Sequence, residues 1–169
     1  MDGYLLDTNI LLYLMGKRTS RHGPVWRRRR ACPDGTPIYV SPFALAEFNV
    51  GCCLTSADAT AARQEAVDFL DTHGFQVPPL TKHTAPHYGE LKARLMRRFD
   101  REKLTKKHRA KWPEGWPDPT TSEKLGADEI DLLIAAQAIE RNLVLVSGDS
   151  MRRIREVAPE LHVEDWAAP

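Results

Sequence analysis

Four acidic residues, spread over most of the chain, are the strongest candidates for chemistry in this sequence: Asp7, Glu47, Asp131 and Asp149. Carboxylate oxygens are the ligands that Mg²⁺ and Mn²⁺ prefer in proteins. Four like charges in one cleft repel each other, so at least one would keep its proton unless a cation neutralised the group. A cation held there lowers the pKa of a water molecule and neutralises charge on a phosphate. If the four side chains meet, the chemistry they favour is metal-dependent hydrolysis of a phosphodiester bond.

Apolar runs alternate with helical patterns along the chain and predict a mainly parallel β-sheet covered on both faces, a three-layer α/β/α fold. Asp7 follows the first predicted strand, residues 4–6, and Asp149 follows the strand at 143–146. Asp131 lies in the first turn of the helix that leads into that second strand. In right-handed βαβ units the strand carboxyl ends and the helix N-termini share one edge of the sheet. We therefore expect these three acids at one edge.

Glu47 lies one to two turns into a helix that is predicted to begin at Ser41 and Pro42, a good N-cap followed by proline. It interrupts an otherwise apolar row, where an unpaired buried carboxylate would be strongly unfavourable. The position along the helix brings Glu47 within reach of the same crevice. The spacing thus predicts a pocket of four carboxylates.

Each of the other three acids also has a simpler structural interpretation. Asp7 and Asp149 could be plain caps of the helices that follow them. Asp131 could simply favour the positive end of its helix. Asp128, just before that helix, is assigned the structural role of N-cap. The common edge of the sheet is what favours the metal-binding interpretation for the set.

The composition is typical of one compact domain with a real core. The chain has 169 residues, of which 42% are hydrophobic and 28% charged. We predict a single domain over residues 1–169. The longest apolar runs are far shorter than the roughly 20 residues that span a bilayer, and the N-terminus does not resemble a secretory signal. We expect no membrane association and a cytoplasmic location.

Two segments are strongly basic although the net charge is only +1. Both are predicted as loops inserted in the domain, at residues 17–37 and 100–126, and they could bind the phosphates of RNA. The simpler interpretation is two solvated loops. Trp112 and Trp116 in the second loop could stack on unpaired bases, or they could anchor that loop to the body. The candidate RNA-binding residues are Arg27, Arg28, Arg29, Arg30, Lys106, Lys107, Arg109 and Lys111.

Four short segments have the order and spacing of a known set of motifs. They are YLLDTNIL at 4–11, SPFALAE at 41–47, DLLIAAQA at 131–138 and LVSGD at 145–149. These segments resemble the motifs of PIN-domain nucleases, and within that family the sequence looks most like the VapC-type toxins of toxin–antitoxin pairs. The resemblance implies a metal-dependent endoribonuclease with a three-layer α/β fold, usually a homodimer, held inactive by a cognate antitoxin.

Taken position by position, the resemblance implies a set of metal ligands and two polar neighbours. The ligands of Mg²⁺ or Mn²⁺ would be Asp7, Glu47, Asp131 and Asp149. Asn9 and Ser147 would lie near the metal or the phosphate, and Ser147 stands where threonine is more usual, although both supply a hydroxyl. The two basic segments are longer than a minimal VapC-type toxin needs.

Other functions remain as alternatives. A non-catalytic PIN-like module that binds RNA or docks a partner would keep the fold without the chemistry, but all four acids are present. A housekeeping RNA-processing nuclease would use the same site as a toxin. A phosphatase of the haloacid-dehalogenase type needs a second aspartate two positions after the first, where this chain has Asn9.

Overall fold

The computed structural model describes residues 1–16, 19–99, 113, 116 and 126–168. In chain order the elements are β1 (Tyr4–Leu6), α1 (Thr8–Met15), α2 (His22–Ala31), β2 (Ile38–Val40), α3 (Pro42–Thr55), α4 (Ala59–His73), α5 (Thr84–Phe99), α6 (Glu129–Glu140), β3 (Val144–Val146), α7 (Arg152–Val157) and β4 (Val163–Glu164). Apart from α2, this order agrees with the alternation of strands and helices that the sequence predicts.

The four strands form one sheet in the order β2-β1-β3-β4, and every pairing between them is parallel. Leu6 at the end of β1 lies opposite Val40 of β2 and Val146 of β3, so these three strands end level with one another. The residues that follow the three ends, Asp7 among them, therefore share one edge of the sheet. The predicted three-layer α/β/α fold with a parallel sheet is confirmed.

The core is formed by the strands and by the apolar faces of the helices that flank them. Leu5 and Leu145 from neighbouring strands and Leu132 from α6 are fully buried, and burial of each such side chain contributes about 1.5–3 kcal/mol. One cluster of buried residues extends from Leu5 to Ala167. No helix in the described ranges has the length and apolar character needed to cross a membrane.

The helix ends follow the capping residues that the sequence predicts. The Ser41 hydroxyl accepts a hydrogen bond from the Phe43 backbone N–H at 3.2 Å and caps α3. Asp58 caps α4 through the Ala61 N–H at 2.9 Å, and that helix ends at Gly74, whose φ of +67° favours glycine. Local sequence thus fixes where these helices begin and end.

The prediction of a loop over residues 17–37 is wrong for the part that forms α2. Gly23 and Pro24 in its first turn suggest a break, but proline is tolerated there because the first N–H groups have no partner within the helix. The helix is held by its apolar face, since Val25 is fully buried and Trp26 Nε1 donates to the Leu14 carbonyl at 3.1 Å. Packing of this face outweighs the local signal for a turn.

Most of the second basic loop, residues 100–126, lies outside the described residues. Trp116 belongs to the described part, and only 2% of its surface is exposed, within the core cluster. This burial supports the interpretation that Trp116 anchors its segment and does not stack on a base. Trp112 and the candidate RNA-binding residues of this loop, Lys106, Lys107, Arg109 and Lys111, lie outside the described residues.

Candidate active site

Asp7 is the buried centre of a hydrogen-bonded network at the carboxyl edge of the sheet. It is 3% exposed and lies between β1 and α1, where its Oδ1 accepts from the Thr8 backbone N–H at 2.7 Å. Its Oδ2 accepts from the Ser147 hydroxyl at 2.7 Å and from Asn9 Nδ2 at 3.0 Å. Asp7 therefore caps α1, as the simpler interpretation expects, and also binds residues that follow β3.

The Asn9 side chain joins Asp7 to Asp149. Its Nδ2 donates to the Oδ2 atoms of both carboxylates at 3.0 Å, and its Oδ1 accepts from the Gly148 backbone N–H at 2.8 Å. The Ser147 hydroxyl accepts from the Asp149 N–H at 3.0 Å while donating to Asp7. The structure thus brings together Asn9 and Ser147, two residues that the sequence predicts as polar neighbours of the acids.

Gly148 allows this close approach of the loop after β3 to α1. A Cβ atom at this position would lie 3.3 Å from Asn9 Oδ1 and 3.2 Å from Cε2 of Tyr13, closer than most real Cβ contacts. A larger residue would push the loop away from Asn9. Glycine therefore keeps Asp149 within hydrogen-bonding distance of the Asn9 amide.

Asp149 does not cap the helix that follows it, so the simpler interpretation of this residue is wrong. The helix α7 begins only at Arg152, after Met151, whose φ is +48°. Asp149 instead occupies a turn, where its backbone N–H binds Ser147 and its carboxylate binds Asn9. Asp149 is therefore held by hydrogen bonds to neighbouring side chains and does not act as a helix cap.

Glu47 reaches the same network through Thr8. Its side chain is half-buried on α3, and its Oε2 accepts from the Thr8 hydroxyl at 2.5 Å. Sequence reasoning missed Thr8. The only local signal is a hydroxyl directly after Asp7, and its partner lies 39 positions away along the chain.

Asp131 lies in the first turn of α6, where it also takes part in a capping box with Asp128. Asp131 Oδ2 accepts from the Asp128 backbone N–H at 2.9 Å, and Asp128 Oδ1 accepts from the Asp131 N–H at 2.8 Å. The structural role predicted for Asp128 is confirmed. Asp131 therefore stabilises the start of α6, in addition to the metal-binding role that the sequence predicts for it.

Burial and mutual repulsion raise the pKa values of two carboxyl groups in this cluster. Burial raises the pKa of Asp131 to about 7, and the charges of Asp128, Asp7 and Asp149 add to this effect, while the backbone N–H of Asp128 opposes it. Burial also raises the pKa of Asp7, with the charges of Glu47 and Asp149 adding, against the hydrogen bonds from Ser147 and Thr8. The four acids are therefore electrostatically coupled.

The donor set fits a hard divalent cation. Within the described ranges, no three acidic, histidine or cysteine side chains stand close enough to form a complete metal cage. Mg²⁺ does not need one, because it typically keeps several waters and takes only one or two carboxylates. Burial and neighbouring negative charges raise the pKa values of Asp7 and Asp131, and a positive ion would stabilise their charged forms. Oxygen donors and negative charge are the properties that such an ion requires.

Two of the arginines of α2 pack against aromatic rings. Arg29 and Arg30 stack over the rings of Phe75 and Trp26, at 5.7 and 5.9 Å from the ring centroids. Arg27 and Arg28 are exposed. Within the part of the chain that the structure describes, no hydrogen bond or ion pair joins any of these arginines to the four acids. Contact with a bound RNA therefore stays a prediction.

Comparisons with known proteins agree with this architecture. The family model "PIN domain" matches residues 4–158, and the chain belongs to the PIN domain family. The family resemblance predicted from the sequence motifs is confirmed. No significant match was found among curated proteins.

Several solved structures have a similar fold. A structure of VapBC-1 from nontypeable Haemophilus influenzae has 21% identity, covers 98% of each chain and gives a TM-score of 0.65. VapBC2 from Rickettsia felis, bound to a DNA fragment from their promoter, has 23% identity over 96% of this chain and 98% of that chain, with a TM-score of 0.64. VapBC-5 from Mycobacterium tuberculosis, described as a member of the VapBC family of toxin–antitoxin systems, has 16% identity over 98% and 99%, with a TM-score of 0.57. At these identities the likeness concerns the fold.

Proposed function

We propose that this protein is a divalent-metal-dependent endoribonuclease and the toxin of a type II toxin–antitoxin pair. The observation that carries the proposal is the network that joins Asp7 to Asp149 through Asn9 and to Glu47 through Thr8, at the carboxyl edge of the sheet. Membership of the PIN domain family supports nuclease chemistry at this edge. The similarity in fold to VapBC structures supports the role of a toxin.

The residues proposed to hold Mg²⁺ or Mn²⁺ are Asp7, Glu47, Asp131 and Asp149. The chemistry that a bound cation supplies is a lower pKa for a water molecule and neutralisation of charge on the scissile phosphate. Asn9 and Ser147 keep the Asp7 carboxylate in one orientation by donating to its Oδ2. Glu47 Oε1, Asp131 Oδ1 and Asp149 Oδ1 accept no hydrogen bond from the described residues, and Asp7 Oδ1 accepts one, so each of these oxygens keeps a lone pair for a cation.

Asp131 adds a proton that can be lost near neutral pH. With a pKa of about 7, this carboxyl group is partly protonated in the absence of a cation. A carboxyl group must lose its proton to act as a metal ligand. Asp131 would have to lose this proton to hold a cation, so metal binding would become easier as the pH rises.

The proposal includes an RNA substrate and protein partners. The exposed guanidinium groups of Arg27, Arg28 and Arg30 on α2 support contact with a phosphate backbone. Exposed apolar side chains on neighbouring helices support contact with another protein chain, because Val50 and Leu54 on α3 and Val67 on α4 are 58%, 79% and 49% exposed. A cognate antitoxin and a second copy in a homodimer are the proposed partners. We also propose a cytoplasmic location, since the proposed substrate is RNA.

The test is RNA cleavage by the purified protein as a function of metal concentration and pH. After treatment with EDTA we expect no cleavage, and Mg²⁺ or Mn²⁺ should restore it. The Mg²⁺ concentration for half-maximal activity should fall roughly tenfold per pH unit below about pH 7 and level off above it, because one proton on Asp131 competes with the cation. Cleavage that persists in EDTA, or RNA left intact at saturating metal, would overturn the proposal.

The toxin role is tested in cells. Expression of the chain should arrest growth, and coexpression of a small protein encoded immediately upstream should relieve the arrest. Metal-dependent cleavage without growth arrest would favour a housekeeping nuclease over a toxin. RNA binding without cleavage would favour a non-catalytic module.

A further inference from the structure

Thr8 holds two carboxylates that come from different elements of the fold. Its backbone N–H donates to Asp7 Oδ1 at 2.7 Å, and its hydroxyl donates to Glu47 Oε2 at 2.5 Å. The first bond is the helix cap of α1, which any residue except proline could complete with its N–H. The second bond depends on the hydroxyl. The cap and the bond to Glu47 are therefore separable contributions of one residue.

The hydroxyl of Thr8 opposes a repulsion that acts on Glu47. The charge of Glu47 raises the pKa of Asp7, which means that the two carboxylates repel each other when both are ionised. The Glu47 side chain is long and only half-buried on α3, so it has rotamers that would carry its charge away from Asp7. A hydrogen bond to an ionised carboxylate is stronger than a neutral one. This bond keeps Glu47 beside the site.

We propose that Thr8 is a positioning residue: its hydroxyl fixes the Glu47 carboxylate beside Asp7 with Oε1 left for a divalent cation. The inference rests on the proposed function, in which Glu47 is a metal ligand. Asn9 acts in the same way on Asp149, since its amide joins that carboxylate to Asp7. The tripeptide Asp7-Thr8-Asn9 thus contains one ligand and the two residues that align the ligands of α3 and of the loop after β3.

Three variants of Thr8 separate this role from a general effect on the fold. Thr8→Val keeps the β-branched shape and the backbone N–H but removes the bond to Glu47. Thr8→Ser keeps the hydroxyl and removes a methyl group. Thr8→Ala is a second way to remove the hydroxyl if Thr8→Val does not fold. Thr72→Val on the exposed surface of α4 is the matched control, because it makes the same substitution away from the site.

The first measurement is the Kd of the full-length protein for Mn²⁺ alone, by isothermal titration calorimetry. Loss of a hydrogen-bond donor that orients a metal ligand typically costs about 10- to 100-fold in affinity. We expect Thr8→Val and Thr8→Ala to raise the Kd by at least about tenfold, whereas Thr8→Ser and Thr72→Val should remain within about threefold of the original protein. The metal-free Tm of Thr8→Val should stay within a few degrees of the original value.

The second measurement is RNA cleavage at saturating Mn²⁺. Thr8→Val should lower kcat with little change in KM, because a misplaced ligand affects the reaction more than RNA binding. An unchanged Kd for Mn²⁺ in Thr8→Val, or a Thr8→Ser variant as weak as Thr8→Val, would overturn the positioning role. If the original protein binds Mn²⁺ through Glu47 but cleaves no RNA, the proposed function fails while the Kd values still test Thr8. If it cleaves RNA and Thr8→Val is equally active with an equal Kd, only this inference fails.

Discussion

Asp7→Asn is expected to lower kcat/KM for RNA cleavage by at least about 100-fold, which corresponds to about 2.7 kcal/mol of transition-state stabilisation. Asp7 is the acid to which the other three are coupled, and the change removes its charge without changing its shape. The fold should survive, because the side-chain oxygen of asparagine can still accept from Ser147 and Asn9. The new amide group would face the Thr8 N–H and weaken the cap of α1, an effect of about 1 kcal/mol that relief of repulsion offsets.

The measurement compares cleavage of one labelled RNA by the original protein and the variant, together with the Tm of each. Asp71→Asn is the matched control, since Asp71 is exposed on α4 and lies away from the network. The control should cleave RNA at the original rate. Equal rates for Asp7→Asn and the original protein in Mg²⁺ would contradict the proposed role of Asp7, and a large loss of Tm would point to a structural role instead.

Lys92→Met is expected to have the largest effect on stability, a loss of about 3–5 kcal/mol in the free energy of unfolding. Lys92 Nζ lies 2.9 and 3.0 Å from the two carboxylate oxygens of Glu129, and their side chains are only 17% and 10% exposed. The Tyr88 hydroxyl also donates to Glu129. Burial raises the pKa of Glu129, so removal of Lys92 would leave a carboxylate that is costly to keep charged.

Urea denaturation tests this expectation on three variants: Lys92→Met, Arg152→Ala, and Lys92→Met combined with Glu129→Gln. Lys92→Met combined with Glu129→Gln should be more stable than Lys92→Met alone, because the double variant removes the unpaired charge and keeps an acceptor for Tyr88. Arg152→Ala provides a comparison with an exposed pair, since Arg152 is 64% exposed beside Glu156, and it should cost less than about 1 kcal/mol. If Lys92→Met costs no more than Arg152→Ala, the ion pair does not stabilise this junction.

The position of this pair gives it a link to the site. Lys92 and Tyr88 belong to α5, and Glu129 is the first residue of α6, two positions before Asp131. The pair therefore holds α5 against the helix start at which Asp128 and Asp131 form their capping box. A loss of this contact would loosen the element that carries one of the proposed metal ligands.

The carboxyl edge of the sheet could be predicted from the sequence because it depends on local order. Asp7 directly follows an apolar strand, and Asp131 comes three residues after the cap of its helix, so short segments fix where both acids lie. The parallel register then makes the ends of β1, β2 and β3 level. Strand ends and helix starts are strong local signals, and parallel topology converts them into a common location.

The hydrogen-bond partners of the four acids could not be predicted in the same way. The bond between Thr8 and Glu47 depends on how α3 packs against α1, and no pattern in the sequence gives the distance between two side chains 39 positions apart. The sequence likewise does not predict where α7 begins. Asp149 has the residue type of a cap, but its bonds to Asn9 and Ser147, formed across the fold, keep it in a turn.

Asp7, Glu47, Asp131 and Asp149 are proposed to form a site for a divalent cation at the carboxyl edge of the sheet. The most direct test is a crystal structure of the protein grown with Mn²⁺, in which the anomalous signal locates the ion. We expect a Mn²⁺ peak within about 2.5 Å of a carboxylate oxygen of Asp7 and of at least one of the other three acids. A map in which Mn²⁺ binds only elsewhere, or in which saturating Mn²⁺ leaves this edge of the sheet without a peak, would contradict it.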